Sequence, residues 1–170
     1  MSTAKQPAPD KAKGHDVFDL ETFLPYELSV VTNRISRAFA RRYAEAFGLT
    51  IPEWRVMAIV GAFAPLSSNA VCERAAMDKT KVSRAVTSLV EKGYLERARH
   101  AADGRLVALA LTPAGQAVHQ GIVPLAREVE TQLVAVLSEA ERVSLRRILR
   151  RLDARVRELA PDGGADGDTD

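Results

Sequence analysis

The chain has 170 residues, of which 46% are hydrophobic and 27% are charged, so it fits one globular domain, or a smaller domain with an oligomerisation element. Aromatic residues make up only 5%, which leaves little for the large stacking platform of single-stranded nucleic-acid binders. A single cysteine excludes an internal disulfide, and the longest apolar run, Val56 to Leu66, is too short to span a bilayer. No hydrophobic segment follows the N-terminal lysines, so we expect no signal peptide, no membrane association and a cytoplasmic protein.

The chain opens with a polar segment and then a long helix. Residues 1–16 are rich in Pro, Ala and Lys, which predicts a disordered tail. Over residues 17–47, apolar side chains recur at helical spacing, with Pro25 in the first turn or at a kink. This stripe comprises Leu20, Leu24, Leu28, Val31, Ile35, Phe39, Tyr43 and Phe47. The helix is long for a compact domain, which indicates packing against a partner.

Two shorter helices are predicted next. Thr50 and Glu53 have the spacing of a capping box, which predicts a helix that continues to about Phe63. After Pro65, a serine caps a short helix that ends near Ala76.

Cys72 lies in that short helix, among the apolar residues Val71, Ala75 and Ala76. This neighbourhood favours a buried, inert thiol, because reactive cysteines need exposure and nearby positive charge. Arg74 stands two residues away, so a thiol-based oxidation sensor remains an alternative.

The segment from Asp78 to Gly93 has the pattern of a capped amphipathic helix. One face is apolar and carries Val82, Ala85, Val86, Leu89 and Val90. The other carries hydroxyls and cations, namely Lys79, Thr80, Lys81, Ser83, Arg84, Thr87 and Ser88. Such side chains suit the DNA major groove, although an ordinary surface helix shows the same periodicity.

A basic hairpin follows this helix. Strands are predicted from Leu95 to Ala101 and from Arg105 to Leu111, joined around the turn signal Asp103-Gly104. A helix-turn-helix followed directly by a basic hairpin indicates a winged helix. Residues 79–105 contain seven Lys and Arg against three acidic residues, a net charge of +4 compared with +2 for the whole chain. The excess lies where phosphates would be met.

Two further helices complete the pattern. Thr112 caps the first, with Pro113 at its first position, and Ser138 with Glu141 caps the second. The last helix has a near-heptad stripe of Leu145, Ile148, Leu149, Leu152, Val156 and Leu159. A two-fold dimer interface shared with the first long helix would bury these stripes. Residues 161–170 are acidic and glycine-rich, which predicts a disordered tail.

In two stretches the chain resembles the multiple-antibiotic-resistance regulator (MarR) family. The first, which resembles the recognition helix, wing and following helix start, reads DKTKVSRAVTSLVEKGYLERARHAADGRLVALALTPAG. The second, which resembles the second helix with the turn before it, reads FGLTIPEWRVMAIVGAF. The resemblance covers roughly Leu20 to Leu159. His100 and Ala101 depart from the common wing pattern, where an acid and a proline are frequent.

The resemblance implies a mainly α fold with a β-hairpin wing. It implies a DNA-binding lobe over residues 48–112, with a recognition helix at about 79–92 and a wing at about 95–111. Dimerisation helices would occupy residues 17–47 and 113–160, and a small residue at position 72 would pack against the recognition helix. The implied function is a homodimeric transcription regulator, a repressor released from a pseudo-palindromic operator by an aromatic acid, a phenolic compound or its thioester.

We assign expected roles to the side chains of the predicted DNA-binding surface. Base contacts are expected from Thr80, Ser83 and Arg84. Phosphate contacts are expected from Lys79, Lys81 and Thr87. Arg105 would enter an A·T-rich minor groove, and Asp103 either orients Arg105 or simply forms a turn.

A ligand pocket is the expectation with the least sequence support, because each residue concerned has an ordinary core or surface role as an alternative. Aromatic walls, an amide and arginines for a carboxylate or phosphate would be supplied by Tyr26, Asn33, Arg34, Arg37, Trp54 and Arg97.

No enzyme is expected, since there is no phosphate-binding loop or nucleophile motif and the three histidines lack metal-ligand spacing. We expect no cofactor and no metal. A winged-helix module that docks on protein and never reads DNA is a second alternative, which the basic recognition face disfavours.

Overall fold

The computed structural model describes residues 18–100 and 103–159, and the side chains of residues 98–107 lie outside that description. Both predicted tails also lie outside the described residues. Within them the chain forms α1 (Leu24–Phe47), α2 (Ile51–Phe63), α3 (Ser68–Ala75), α4 (Lys79–Glu91), β1 (Leu95–His100), β2 (Asp103–Leu111), α5 (Pro113–Val134) and α6 (Glu139–Leu159). The chain divides into two compact units between Ala38 and Phe39.

Local signals predicted from the sequence set the helix boundaries. Thr50 N donates to Glu53 Oε2 at 2.6 Å and Glu53 N donates to Thr50 Oγ1 at 3.4 Å, which confirms the capping box of α2. Gly48 and Gly93, with φ of +64° and +72°, follow α1 and α4 in the left-handed conformation that glycine adopts without strain. The helices α3, α4 and α5 are capped by Ser67, Asp78 and Thr112.

The hydrophobic core lies between α2, α4 and the sheet. The faces of α2 and α4 meet through the buried residues Val56, Met57, Val60, Val82, Ala85, Val86 and Leu89. Full burial of a Val or Leu side chain contributes roughly 1.5–3 kcal/mol, so these contacts fix which side of α4 faces inward. The mainly helical fold with a small β-hairpin is confirmed.

The hairpin is antiparallel and differs from the prediction at its tip. Pairing runs from Leu95↔Leu111 to Arg99↔Val107, and after an irregularity His100 pairs with Asp103. Asp103 is paired with His100 and β2 begins at Asp103, so the prediction that Asp103-Gly104 forms the turn was wrong. Both residues belong to β2, where an irregularity in register accommodates extra residues on one strand.

The start of α5 is held tightly against the base of the hairpin. Thr112 Oγ1 donates to Gly93 O at 2.6 Å, and Thr112 N donates to Tyr94 O at 3.1 Å. At Gly115, in the first turn of α5, a Cβ would overlap the Tyr94 carbonyl oxygen. Only glycine permits this approach, which gives a steric reason for a glycine at position 115.

The final helix contributes nothing to the core of its own chain. None of the residues of α6 is buried. Its exposed apolar side chains are Val143, Leu145, Ile148, Leu149, Val156 and Leu159.

Among the described residues no single helix has the length and apolar composition to cross a membrane. A bent pair, α1 with α2, meets those two criteria only when the two helices are taken together.

Candidate nucleic-acid interface

The outward face of α4 carries all of the recognition-helix residues predicted to contact DNA. Because Val82, Ala85, Val86 and Leu89 are buried, the opposite side of the helix faces away from the core. Val90 was also predicted on the apolar face, but it is 36% exposed. The exposed cations and hydroxyls of α4 are Lys79, Thr80, Lys81, Ser83, Arg84 and Thr87. The structure thus brings these six side chains onto one helix, within three turns of its N-terminus.

Asp78 organises the first turn of this face. Its Oδ1 accepts from Lys81 N at 2.8 Å, and its Oδ2 lies 2.8 Å from Lys81 Nζ. The hydrogen bonds from the Lys81 side chain and backbone lower the pKa of Asp78. The carboxylate is therefore ionised at neutral pH and holds the Lys81 ammonium close to the helix start.

Two shallow depressions meet at Arg84. One, of about 420 Å³, is lined by Lys79, Thr80, Ser83 and Arg84. The other, of about 370 Å³, lies between the start of α2 and α4 and is lined by Thr50, Pro52, Glu53, Lys81, Arg84, Ala85 and Ser88. Arg84 therefore stands at the centre of the exposed face, where a guanidinium can reach two acceptors on one base edge.

Lys92 is committed to a partner inside the protein. Its Nζ donates to Glu53 Oε1 at 2.7 Å and to Gly48 O at 2.9 Å, and Ser88 Oγ donates to Glu53 Oε1 at 2.6 Å. Burial alone would raise the pKa of Glu53, but hydrogen bonds from Lys92, Ser88 and Thr50 lower it to about 2. Lys92 was included in the positive charge that was expected to contact phosphates. In the structure its charge is paired with the Glu53 carboxylate instead.

Sequence reasoning missed this network. The capping-box spacing identified Glu53 as a local cap, and nothing in the sequence pattern indicated that its other oxygen accepts from residues 35 and 39 positions away.

The residues predicted for the wing are only partly described. Arg97 lies on β1, is exposed, and pairs with Leu109 on β2. Asp103 and Arg105 lie near the start of β2, and their side chains are outside the described residues.

Trp54, which was predicted to line a ligand pocket, lies in an aromatic cluster. Its ring stacks on His119 with centroids 5.7 Å apart and makes an edge contact with Phe39 at the same separation. Tyr43 lies 5.8 Å away, and burial raises its pKa to about 12. Burial also lowers the pKa of His119. His119 is a member of this cluster that the sequence pattern did not identify.

The remaining pocket candidates lie on the first part of α1. Tyr26, Asn33, Arg34 and Arg37 are exposed there, and Arg37 Nε donates to Asn33 O at 3.4 Å.

Cys72 is half-buried on α3, and burial raises the pKa of its thiol. Less thiolate at neutral pH means a less reactive sulfur. This favours the inert thiol over the oxidation sensor. Within the described ranges, no group of three His, Cys, Asp or Glu side chains is arranged to hold a metal ion.

Comparison with known proteins gives one consistent result. The MarR family model matches residues 47–106, which span the turn before α2 through the hairpin tip. A transcriptional regulatory protein described for the hcr operon of Thauera aromatica is 28% identical over 116 residues, which cover 68% of this chain and 70% of that protein.

Solved structures agree with this match. A MarR/EmrR family regulator from Acinetobacter sp. ADP1 has a TM-score of 0.78 at 28% identity, covering 83% of this chain and 99% of that one. A transcriptional regulator from Pseudomonas aeruginosa has a TM-score of 0.69 at 30% identity, and the match covers 79% of this chain and 99% of that chain.

Two more distant structures share the fold. One is a complex of MepR from S. aureus with DNA, which has a TM-score of 0.72 at 20% identity. The other is BpsR from Bordetella bronchiseptica, which has a TM-score of 0.71 at 24% identity. They cover 80% of this chain each, and 98% and 96% of their own chains. The capped α4 with its exposed basic face, the hairpin that follows it and these matches together establish that the chain belongs to the MarR family of winged-helix, DNA-binding transcription regulators.

Proposed function

We propose that the protein is a homodimer that binds a pseudo-palindromic operator through the exposed face of α4. The observation that carries this proposal is the separation of the two sides of α4. Val82, Ala85, Val86 and Leu89 are buried, whereas the cations and the hydroxyls of Thr80, Ser83 and Thr87 are exposed. Two-fold symmetry would place the two α4 helices in successive major grooves, roughly 34–36 Å apart. The fold neighbour MepR has been solved as a complex with DNA, which supports this mode of action.

In this proposal the exposed residues have different tasks. Arg84 donates to a guanine edge, while Thr80 and Ser83 make short-range base contacts beside it. Lys79, Lys81 and Thr87 bind phosphates and set the register. Lys81 shares its ammonium between a phosphate and Asp78, whose carboxylate lies 2.8 Å away.

The hairpin provides the second DNA contact. Arg105 would enter the adjacent minor groove, where a narrow A·T-rich stretch concentrates negative potential. Asp103 would orient Arg105. Since Asp103 begins β2, its proposed task is no longer that of a turn former.

The proposed dimer uses helices at both ends of the described chain. We assign residues 17–47 and 113–160 to dimerisation and residues 48–112 to the DNA-binding lobe. The exposed apolar side chains of α6 support this division, because a solvated helix of that composition leaves a large hydrophobic surface uncovered.

We further propose that a small aromatic acid, phenolic compound or its thioester releases the protein from its operator, which makes it a repressor. DNA binding by the fold neighbour BpsR is described as regulated by 6-hydroxynicotinic acid, an aromatic acid. The proposed lining consists of Tyr26, Asn33, Arg34, Arg37, Trp54 and Arg97. Such an effector must bind more tightly to the form whose two lobes do not match the operator than to the form whose lobes do. With equal affinity for both forms, it would not shift the equilibrium between them.

The test compares two substitutions on α4. For Arg84→Ala we expect a loss of roughly 1–3 kcal/mol of preference for the operator over a scrambled duplex. For Lys79→Ala we expect weaker binding to both duplexes. The slope of log affinity against log salt concentration should decrease by about 1, the value for one lost phosphate contact. Binding is measured by fluorescence anisotropy on a duplex selected from a random pool, at several salt concentrations.

Arg151→Ala on α6 is the control, because it removes the same charge from an exposed helix outside the proposed surface. If neither α4 variant differs from this control, the assignment of the α4 face is wrong. A flat salt response of the unmodified protein on nonspecific DNA would favour the protein-docking module instead.

A further inference from the structure

The buried carboxylate of Glu53 joins the two helices whose relation determines how α4 is presented. Among the residues described, Glu53 is the one charged residue that is buried, with 3% of its surface exposed. One of its oxygens accepts from Thr50 N in the cap of α2. The other accepts from Ser88 Oγ and Lys92 Nζ at the end of α4. A single side chain therefore caps one helix and holds the last turns of the other.

Lys92 adds a third attachment point to this arrangement. It is the C-cap of α4, and its Nζ also donates to Gly48 O, the residue that ends α1. Hydrogen bonds of 2.6–2.9 Å weaken steeply beyond about 3.2 Å. A movement of α4 relative to α2 that displaces these atoms by about 1 Å would therefore break several of these hydrogen bonds at once.

Ser88 transfers this restraint to the DNA-facing surface. It lies one turn after Arg84 on the same side of α4, and both line the depression that Glu53 also lines. Fixing Ser88 against Glu53 fixes the direction in which Arg84 leaves the helix.

We infer that Glu53, Ser88 and Lys92 are positioning residues that set the rotation and axial position of α4, and thereby decide which base sequence it reads. None of them needs to contact DNA for this task. The inference rests on the proposed reading of DNA by the exposed face of α4. It differs from a purely structural role in one testable respect: the sequence preference should stay low even where removing both charges restores stability.

The experiment uses the full chain and four variants. Glu53→Gln keeps the cap, because glutamine is accepted at the third position of a capping box. Lys92→Met removes the ammonium, Lys92→Arg keeps a cation, and the Glu53→Gln/Lys92→Met double variant removes both charges. For each, thermal unfolding is recorded, and affinity is measured for the duplex selected by the unmodified protein and for a scrambled duplex, at temperatures where all variants are folded.

For Lys92→Met and the double variant we expect the preference for the selected duplex to fall by about tenfold, the size of one lost base contact. The salt dependence should stay unchanged, because no phosphate contact is removed. Lys92→Arg should keep the preference. The double variant should be more thermally stable than Lys92→Met, since no unpaired buried charge remains, yet its preference should stay low.

Three results would overturn the inference. If the preference returns together with stability in the double variant, the network only supports the fold. If Lys92→Met lowers the salt dependence, Lys92 binds phosphate rather than positioning α4. If the unmodified protein selects no sequence from the pool, the proposed reading of DNA fails before any variant is compared, and this inference fails with it.

Discussion

Glu53 illustrates how one side chain acts at two places. Its role in the cap of α2 followed from its spacing to Thr50 and was confirmed. Its partners on α4 could not be derived, because they depend on how two helices pack. Sequence spacing specifies contacts within a turn or two of a helix, whereas a contact between residues 39 positions apart is set by the tertiary arrangement.

The lowered pKa of Glu53 predicts an acid-sensitive contribution to stability. With a pKa of about 2 in the folded chain against an ordinary value of 4.5, its contribution is complete above pH 4.5 and is lost as the pH falls towards 2. By linkage this amounts to at most about 3 kcal/mol. Free energies of unfolding in urea should therefore fall more steeply between pH 5 and pH 3 for the unmodified protein than for Glu53→Gln.

The pKa values of Asp78 and Glu141 are also lowered, so their contributions to stability also decrease as the pH falls. Both residues are present in the unmodified protein and in Glu53→Gln. The difference between the two curves therefore isolates Glu53. Parallel curves would show that its carboxylate is not held in the ionised state by Lys92 and Ser88.

At the scale of elements, helix starts were the most predictable feature. Ser67, Asp78 and Thr112 accept hydrogen bonds from backbone amides three residues on, as short polar side chains do at helix starts. The hairpin tip was the least predictable. Asp-Gly is a strong turn signal, but it is local, and the pairing of His100 with Asp103 places both residues in β2.

The connection between α3 and α4 contains a strained residue. Ala76 has φ of +48° and ψ of +46°, a left-handed conformation that costs an L-residue roughly 1–2 kcal/mol. Ala76→Gly should raise the free energy of unfolding by about 0.5–1 kcal/mol, because relief of this strain exceeds the extra entropy of the unfolded chain. Thermal and urea unfolding measure the change.

Ala75→Gly is the matched control, since Ala75 is the last residue of α3 and has no such strain. It should destabilise by up to about 1 kcal/mol. Equal effects of the two substitutions would mean that the left-handed conformation at Ala76 carries no strain.

At the scale of the whole molecule, the apolar stripe of α6 was predicted from its heptad spacing. The structure leaves Leu145 and Leu149 43% and 44% exposed on the single chain. The sequence pattern indicated that the stripe needs a cover, but a pattern along one helix does not specify the surface that covers it.

The proposed dimer predicts a mass of twice 18.5 kDa for the unmodified protein and single chains of 18.5 kDa for Leu145→Asp/Leu149→Asp. Helix content should persist, because both side chains are exposed on the isolated chain. Light scattering after gel filtration measures the mass. Arg147→Asp, on the opposite side of α6, should leave the dimer intact, and an unchanged mass for the double variant would exclude this face from the interface.

The tight seating of α5 gives the molecule a lever. Gly115 lies against the Tyr94 carbonyl and Thr112 is bonded to both Gly93 and Tyr94, so these contacts couple the first turn of α5 to the hairpin base. The helix has 22 residues and is therefore about 33 Å long. A tilt of about 5° at its far end displaces the near end by about 3 Å, close to the roughly 3.4 Å rise of one base pair. In the proposed dimer, a tilt of this size would be enough to move the lobe out of register with its operator.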